Sequence, residues 1–131
     1  MELARAKILV VEDATEVLAY FKGSLVRKFE AEVKTAKDGQ EALRILTAEN
    51  FDLVIMDLNM PKMNGLEVME LIKKVKKLPD TIIVTAHDSP EVARQVAAAG
   101  AVDYVTKPLD MEKLLSKTKV LLFKKGLFVE K

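Results

Sequence analysis

Along this chain, short runs of consecutive apolar residues alternate with longer segments whose apolar positions recur at three- and four-residue spacing. The first pattern suits buried strands and the second amphipathic helices, and their alternation is that of βα repeats around a mostly parallel sheet. Five repeats are predicted, with strands at Lys7–Val11, Glu32–Ala36, Leu53–Met56, Thr81–Thr85 and Asp103–Thr106. Between them, Leu18, Phe21, Leu25 and Phe29 form one helical stripe, Ala42, Leu43 and Leu46 a second, and Val68, Met69, Ile72 and Val75 a third. Asp38 with Glu41, and Asn64 with Glu67, have the spacing of capping boxes. Ser89 and Pro90 open the fourth helix and Gly100 closes it. The last helix starts near Asp110 and turns Leu114, Leu115, Thr118 and Leu122 inward.

Polarity along the strands predicts their order. Ile8–Val11, Leu53–Met56 and Ile82–Val84 are apolar at every position, as expected of parallel strands covered by helices on both faces. Glu32–Ala36 alternates, and Asp103 and Thr106 flank Tyr104 and Val105, so these two strands are assigned to the edges. With right-handed crossovers the result is a doubly wound, three-layer α/β fold with strand order 2-1-3-4-5.

Composition narrows the setting. The 131 residues are expected to form a single domain, its core at about residues 7–119 and residues 120–131 a C-terminal helical extension or tail. A formal charge of +1 lacks the basic excess of nucleic-acid-binding domains, so no direct nucleic-acid partner is expected. From Lys107 onward seven lysines face three acids, which reads as a solvated helix face before it reads as a docking surface for an acidic partner. No apolar stretch approaches the roughly 20 residues that span a bilayer, the amino terminus lacks the apolar core of a secretory signal, and cysteine is absent. A cytoplasmic location without a membrane partner is expected.

Polar groups gather where the predicted strands end. Glu12 and Asp13 follow the first strand, Asp57 follows the third, Thr85 closes the fourth, and Lys107 and Pro108 follow the fifth. In an open parallel sheet the carboxyl ends share one edge, where ligands bind, so these residues are expected to form one site. Taken alone, each reads as an ordinary turn, cap or surface residue; their shared placement is what points to function. Three neighbouring carboxylates repel one another, and a hard divalent cation offsets that repulsion. Magnesium, with manganese as a substitute, is expected on Asp13 and Asp57, with Glu12 acting through water and the Asn59 backbone carbonyl completing the set. Asp57 is the expected nucleophile toward a phosphoryl group, with which a carboxylate forms an acyl phosphate. Lys107 offers a compact positive charge, first to Asp57 and then to a phosphoryl oxygen, and Thr85 offers a hydroxyl donor. The small Ala86 leaves access to Asp57 open.

These residues resemble the receiver domain of two-component response regulators, the chemotaxis receiver included. The resemblance is carried by Val11-Glu12-Asp13, by Met56-Asp57-Leu58-Asn59-Met60-Pro61 with Gly65 downstream, by Val84-Thr85-Ala86, and by Tyr104-Val105-Thr106-Lys107-Pro108. It runs from about Lys7 to Lys119. It implies a flavodoxin-like fold and magnesium-dependent phosphorylation of Asp57 by a sensor histidine kinase, a phosphotransfer protein or a small acyl phosphate. It implies a signalling switch rather than a turnover enzyme. On phosphorylation Thr85 is expected to move toward the phosphoryl group and Tyr104 to turn inward into the vacated space. The face made by the fourth helix, fifth strand and fifth helix then changes for an output domain or target protein. The Lys107-Pro108 bond is expected to be cis. Asn59 and His87 lie two residues after Asp57 and Thr85, where they can border the path of hydrolytic water and tune the phosphoryl lifetime. His87 reads first as a solvated loop residue, its kinetic role second.

The alternative from another class is a haloacid dehalogenase-type aspartyl-phosphate phosphatase, which resembles this layout but needs a second acid two residues after the nucleophile. Asn59 stands there instead. A flavodoxin-like cofactor binder is a further rival, against which Glu12 and Asp13 repel phosphate in the absence of a metal. At the end of the chain, Leu121, Leu122 and Phe123 continue the last helix, Gly126 can end it, and Leu127, Phe128 and Val129 make an apolar patch. This tail is expected to pack on the first helix or to form a homodimer contact.

Overall fold

The computed structural model describes residues 5–127. Its sheet is built from β1 (Lys7–Val11), β2 (Glu32–Ala36), β3 (Leu53–Asp57), β4 (Asp80–Thr85) and β5 (Asp103–Thr106). The strands are ordered β2-β1-β3-β4-β5 and every neighbouring pair is parallel. The helices are α1 (Thr15–Phe29), α2 (Gly39–Ala48), α3 (Gly65–Lys73), α4 (Pro90–Ala99) and α5 (Met111–Lys124).

The uniform apolarity of the central strands follows from their having two cores. Side chains alternate across a strand. Ile8, Val10, Leu53, Ile55, Ile82 and Val84 therefore point to one face, where they meet Phe21, Leu25 and Phe29 of α1 and Leu114 and Leu122 of α5. Leu9, Val11, Val54, Met56 and Ile83 point to the other face, against Ala42 and Leu46 of α2, Val68, Met69 and Ile72 of α3, and Val96 and Ala99 of α4. Each of the larger side chains contributes about 1.5–3 kcal/mol on full burial, so neither face can be left bare. At the edges, β2 alternates exposed Glu32 and Lys34 with buried Val33 and Ala36, and in β5 Val105 alone is fully buried.

Local chemistry sets where the helices begin and end. Asp38 accepts the Glu41 N–H at 2.8 Å, Ser89 the Val92 N–H at 3.2 Å and Asp110 the Lys113 N–H at 3.3 Å, each relieving an unpaired donor of a first turn. Both halves of a capping box form between Asn64 and Glu67. Gly100 closes α4 with φ 107, a conformation that costs glycine little.

One residue of the predicted stripes departs. Val75 lies beyond the end of α3 and is 66% exposed. The helix stops at Lys73, and Lys76 takes the inward course, donating from Nζ to the carbonyls of Leu46 and Glu49 at 2.7 and 3.0 Å. Those are orphan acceptors at the end of α2, which an ammonium satisfies and a valine cannot.

At the other end of the chain α5 continues to Lys124, with Leu122 fully buried and Phe123 71% exposed. Gly126 turns at φ 72, and the Leu127 N–H donates to the Leu122 carbonyl at 2.9 Å. Leu121 and Leu127 pack on the core cluster that α1 shares with α5 and the sheet; Phe128 and Val129 lie outside the described residues. Among the described residues no helix is long and apolar enough to cross a membrane.

Candidate functional site

Register brings the chemistry together. Val11 is paired with Met56 across β1 and β3, so the next residues, Glu12 and Asp57, leave adjacent strands side by side. Asp57 is paired with Val84 of β4, and Thr85 with Thr106 of β5, which places Lys107 one step further on. Backbone hydrogen bonds run past the strand ends and hold these positions: Glu12 N–H to Ala36 O at 3.0 Å, Leu58 N–H to Val84 O at 2.8 Å and Lys107 N–H to Thr85 O at 2.7 Å.

Glu12 and Asp57 are almost wholly buried, at 1% and 5% exposure, while Asp13 faces solvent. Oxygens of the three carboxylates lie within 4.8 Å of one another. Burying charges of one sign is costly unless a counter-charge is near. Lys107 supplies it, its Nζ standing 3.0 Å from Asp57 Oδ2 and 3.2 Å from Glu12 Oε1. The second oxygen of Asp57 accepts the Asn59 N–H at 3.1 Å, and the second oxygen of Glu12 accepts the Ala14 N–H at 3.3 Å. Glu12 and Asp13 do not cap α1, whose N-cap is Ala14 without a side-chain bond.

The remaining electrostatic strain falls on the exposed acid. The hydrogen bond to Glu12, then partial burial and the Glu12 charge, hold the Asp13 carboxyl above the usual aspartate range. For Lys107, burial opposes the charged form, but the hydrogen bonds and charges of Asp57 and Glu12 outweigh it and raise its pKa. One ammonium therefore leaves the cluster short of positive charge. A hard, oxygen-only donor set of this kind fits a magnesium-type cation.

The other predicted residues stand on β4, on β5 and in the loops that follow β3, β4 and β5. Thr85 is completely buried and its Oγ accepts the His87 N–H at 3.1 Å. Ala86, His87 and the Asn59 side chain are exposed. Tyr104 is half-buried, and its hydroxyl donates to Asp88 Oδ1 at 3.2 Å. Burial, then the Asp88 charge, push the Tyr104 phenol up. The Lys107–Pro108 bond is cis, as expected.

Two features of the surroundings were not read from the sequence. Asp88 ties Tyr104 to the β4–α4 loop. The β3–α3 loop, which carries Asn59, rests on the first turn of α2, where a Cβ on Gly39 would lie 2.3 Å from the Met63 carbonyl oxygen. A glycine opening a helix, against its poor helix propensity, was the available signal for that second contact.

Residues 8–119 match the family model described as response regulator receiver domain. The chain is 34% identical over 120 residues to the transcriptional regulatory protein PrrA of Mycobacterium tuberculosis, covering 92% of this chain and 51% of that protein. It is 36% identical over 115 residues to the CAI-1 autoinducer sensor kinase/phosphatase CqsS of Vibrio cholerae, covering 85% of this chain and 16% of the other. The chain thus spans about half, or less, of the length of these relatives. Among solved structures, the receiver domain of the Francisella response regulator 1452 superposes with a TM-score of 0.86 at 26% identity, covering 92% of this chain and 99% of that one.

Proposed function

The chain belongs to the response regulator receiver domain family, and from that premise we propose that it is the phosphoacceptor of a two-component phosphorelay, with Asp57 as the residue phosphorylated. The observation that carries this reading is the convergence of Asp57, Glu12, Asp13 and Lys107 at one sheet edge, with the three carboxylates within 4.8 Å of one another and one ammonium bonded to two of them.

In the proposed transfer a carboxylate oxygen of Asp57 attacks the phosphorus of a phosphohistidine, or of a small acyl phosphate. The new O–P bond forms as the bond to the leaving group breaks, and the electron pair departs with the imidazole or carboxylate. Asp57 is aimed by two fixed bonds, Lys107 on one oxygen and the Asn59 N–H on the other, so little reorganisation precedes attack. Lys107 exchanges its bond to the carboxylate for one to a phosphoryl oxygen. The buried Thr85 hydroxyl is the donor available to another oxygen once it turns from its own loop. Glu12, Asp13, Asp57 and the Asn59 backbone carbonyl are the groups to hold magnesium, or manganese in its place. When bound, that ion neutralises charge between the carboxylates and the incoming phosphoryl group. Asn59 and His87 border the approach of hydrolytic water, and the chain acts as a switch with slow autodephosphorylation, not as a turnover enzyme. Its partners are a histidine kinase or phosphotransfer protein upstream and an output domain or target protein downstream, in the cytoplasm.

Incubation with acetyl phosphate and magnesium, followed by intact-mass measurement, tests the reading. Wild type is expected to gain one phosphoryl group and Asp57→Asn none; equal modification of both rejects the acceptor, and steady turnover of unrelated phosphomonoesters points to a phosphatase.

A further inference from the structure

Two hydrogen bonds meet in the short loop between β4 and α4. At its start the His87 N–H donates to the Oγ of the buried Thr85 at 3.1 Å. One residue later the exposed Asp88 accepts the hydroxyl of Tyr104 at 3.2 Å. Ser89 follows immediately as the N-cap of α4, bonded to the Val92 N–H, so the loop has little slack between its two anchors. Tyr104 packs against the core on the α2, α3 and α4 side while its oxygen is held at the surface.

From this geometry we propose that Asp88 is a latch: its carboxylate holds the Tyr104 ring in the outward position and so sets the resting balance of the switch at Thr85. The inference rests on the phosphoacceptor reading given above, and names a residue that regulates that site without touching the reacting atoms. The coupling is direct. When Thr85 turns its hydroxyl elsewhere, the His87 N–H loses its acceptor, and the peptide that carries Asp88 is free to shift. The phenol bond then lengthens and the ring is released. Run in reverse, loss of the Asp88 bond releases the ring first and lowers the cost of the Thr85 movement, as any two events coupled through one equilibrium must. Asp88 is exposed and meets Tyr104 only at its hydroxyl, so its substitution is expected to act on the balance and to spare the fold.

A double-mutant cycle decides the matter. The variants are Asp88→Ala, Tyr104→Phe, the pair together and Asp88→Asn, which keeps an acceptor. Fluorotyrosine NMR, in a Tyr20→Phe background for assignment, reads the Tyr104 ring without any phosphoryl donor. Acetyl phosphate with magnesium gives the phosphorylation rate in parallel. Asp88→Ala is expected to raise the inward population of the ring about three- to tenfold, the worth of one net hydrogen bond, with Asp88→Asn close to wild type. Phosphorylation of Asp88→Ala and of Tyr104→Phe is expected to quicken by a similar factor, and the double variant by no more than either single one. A Tyr104 signal unchanged in Asp88→Ala overturns the latch, as do rate effects that multiply in the double variant. Should wild type fail to be phosphorylated at all, the phosphoacceptor reading falls, while the ring populations still judge the latch on their own.

Discussion

Lys107 and Glu12 stand 95 positions apart in the chain, yet the Nζ of one lies 3.2 Å from the Oε1 of the other. The first and last strands of the fold thus meet over Asp57 of the third, which shares the same ammonium at 3.0 Å.

That shared ammonium makes a prediction. Lys107→Ala is expected to slow phosphorylation from acetyl phosphate about a hundredfold, the usual cost of removing one donor to developing charge. Lys107→Arg is expected to recover little, because a planar fork does not replace a point charge between two carboxylates. Single-turnover mass measurements at saturating magnesium read both. A rate near wild type for Lys107→Ala removes Lys107 from the transfer.

Gly39 gives a second test. A methyl group there meets the Met63 backbone as well as its side chain, so neither can swing away cheaply. Gly39→Ala is expected to destabilise by about 1–3 kcal/mol, against the gain that Gly→Ala ordinarily brings within a helix. Gly23→Ala in α1 is the control, since its Cβ meets only the mobile end of Arg27. Urea unfolding of the two variants is expected to separate them in opposite directions.

The end of α5 belongs to the core by one residue and not by the next. Leu122→Ala is expected to cost about 2–5 kcal/mol, as a buried leucine does. Phe123→Ala, at a side chain 71% exposed, is expected to stay within about 0.5 kcal/mol. Denaturant midpoints at equal m-values check both, and equal losses contradict the placement of the helix.

Stability is also expected to carry a pH signature at Glu49. Hydrogen bonds from Lys34 and then Lys7 hold its carboxyl below the usual glutamate range. A carboxyl depressed in the folded state stabilises above its unfolded pKa and loses that contribution as pH falls through the folded value. The gap in unfolding midpoint between wild type and Glu49→Gln is therefore expected at neutral pH, shrinking in acid and in high salt. A gap that is the same at every pH rules out the ion pairs as its source.

Much of this molecule is legible in the chain because its signals are local and redundant. Unbroken apolar runs announce strands with two covered faces, and Asp38, Asn64, Ser89 and Asp110 announce helix starts through their own side-chain oxygens. The convergence of Glu12, Asp13, Asp57 and Lys107 follows once the strands are taken as parallel. What stayed hidden depends on the third dimension. Val75 continues a helical period on paper, but α3 ends where Lys76 finds the carbonyls of another helix, and nothing near Val75 records that meeting. Asp88 and Met63 gain their significance from residues 16 and 24 positions away, Tyr104 and Gly39, across loops whose path the sequence does not print.

At the amino rim of the sheet, Glu49 gathers Lys7 and Lys34, and the Lys7 N–H is fixed by Asp52 at 2.8 Å. Lys7 opens β1 and Glu12 follows its last residue, so the strand behaves as a short ruler clamped at one end. Sliding it by a single notch would exchange its two faces and carry Glu12 away from Lys107. The ionic knot at the opposite end of β1 from the chemistry is thereby the reference mark from which the reactive carboxylates take their spacing.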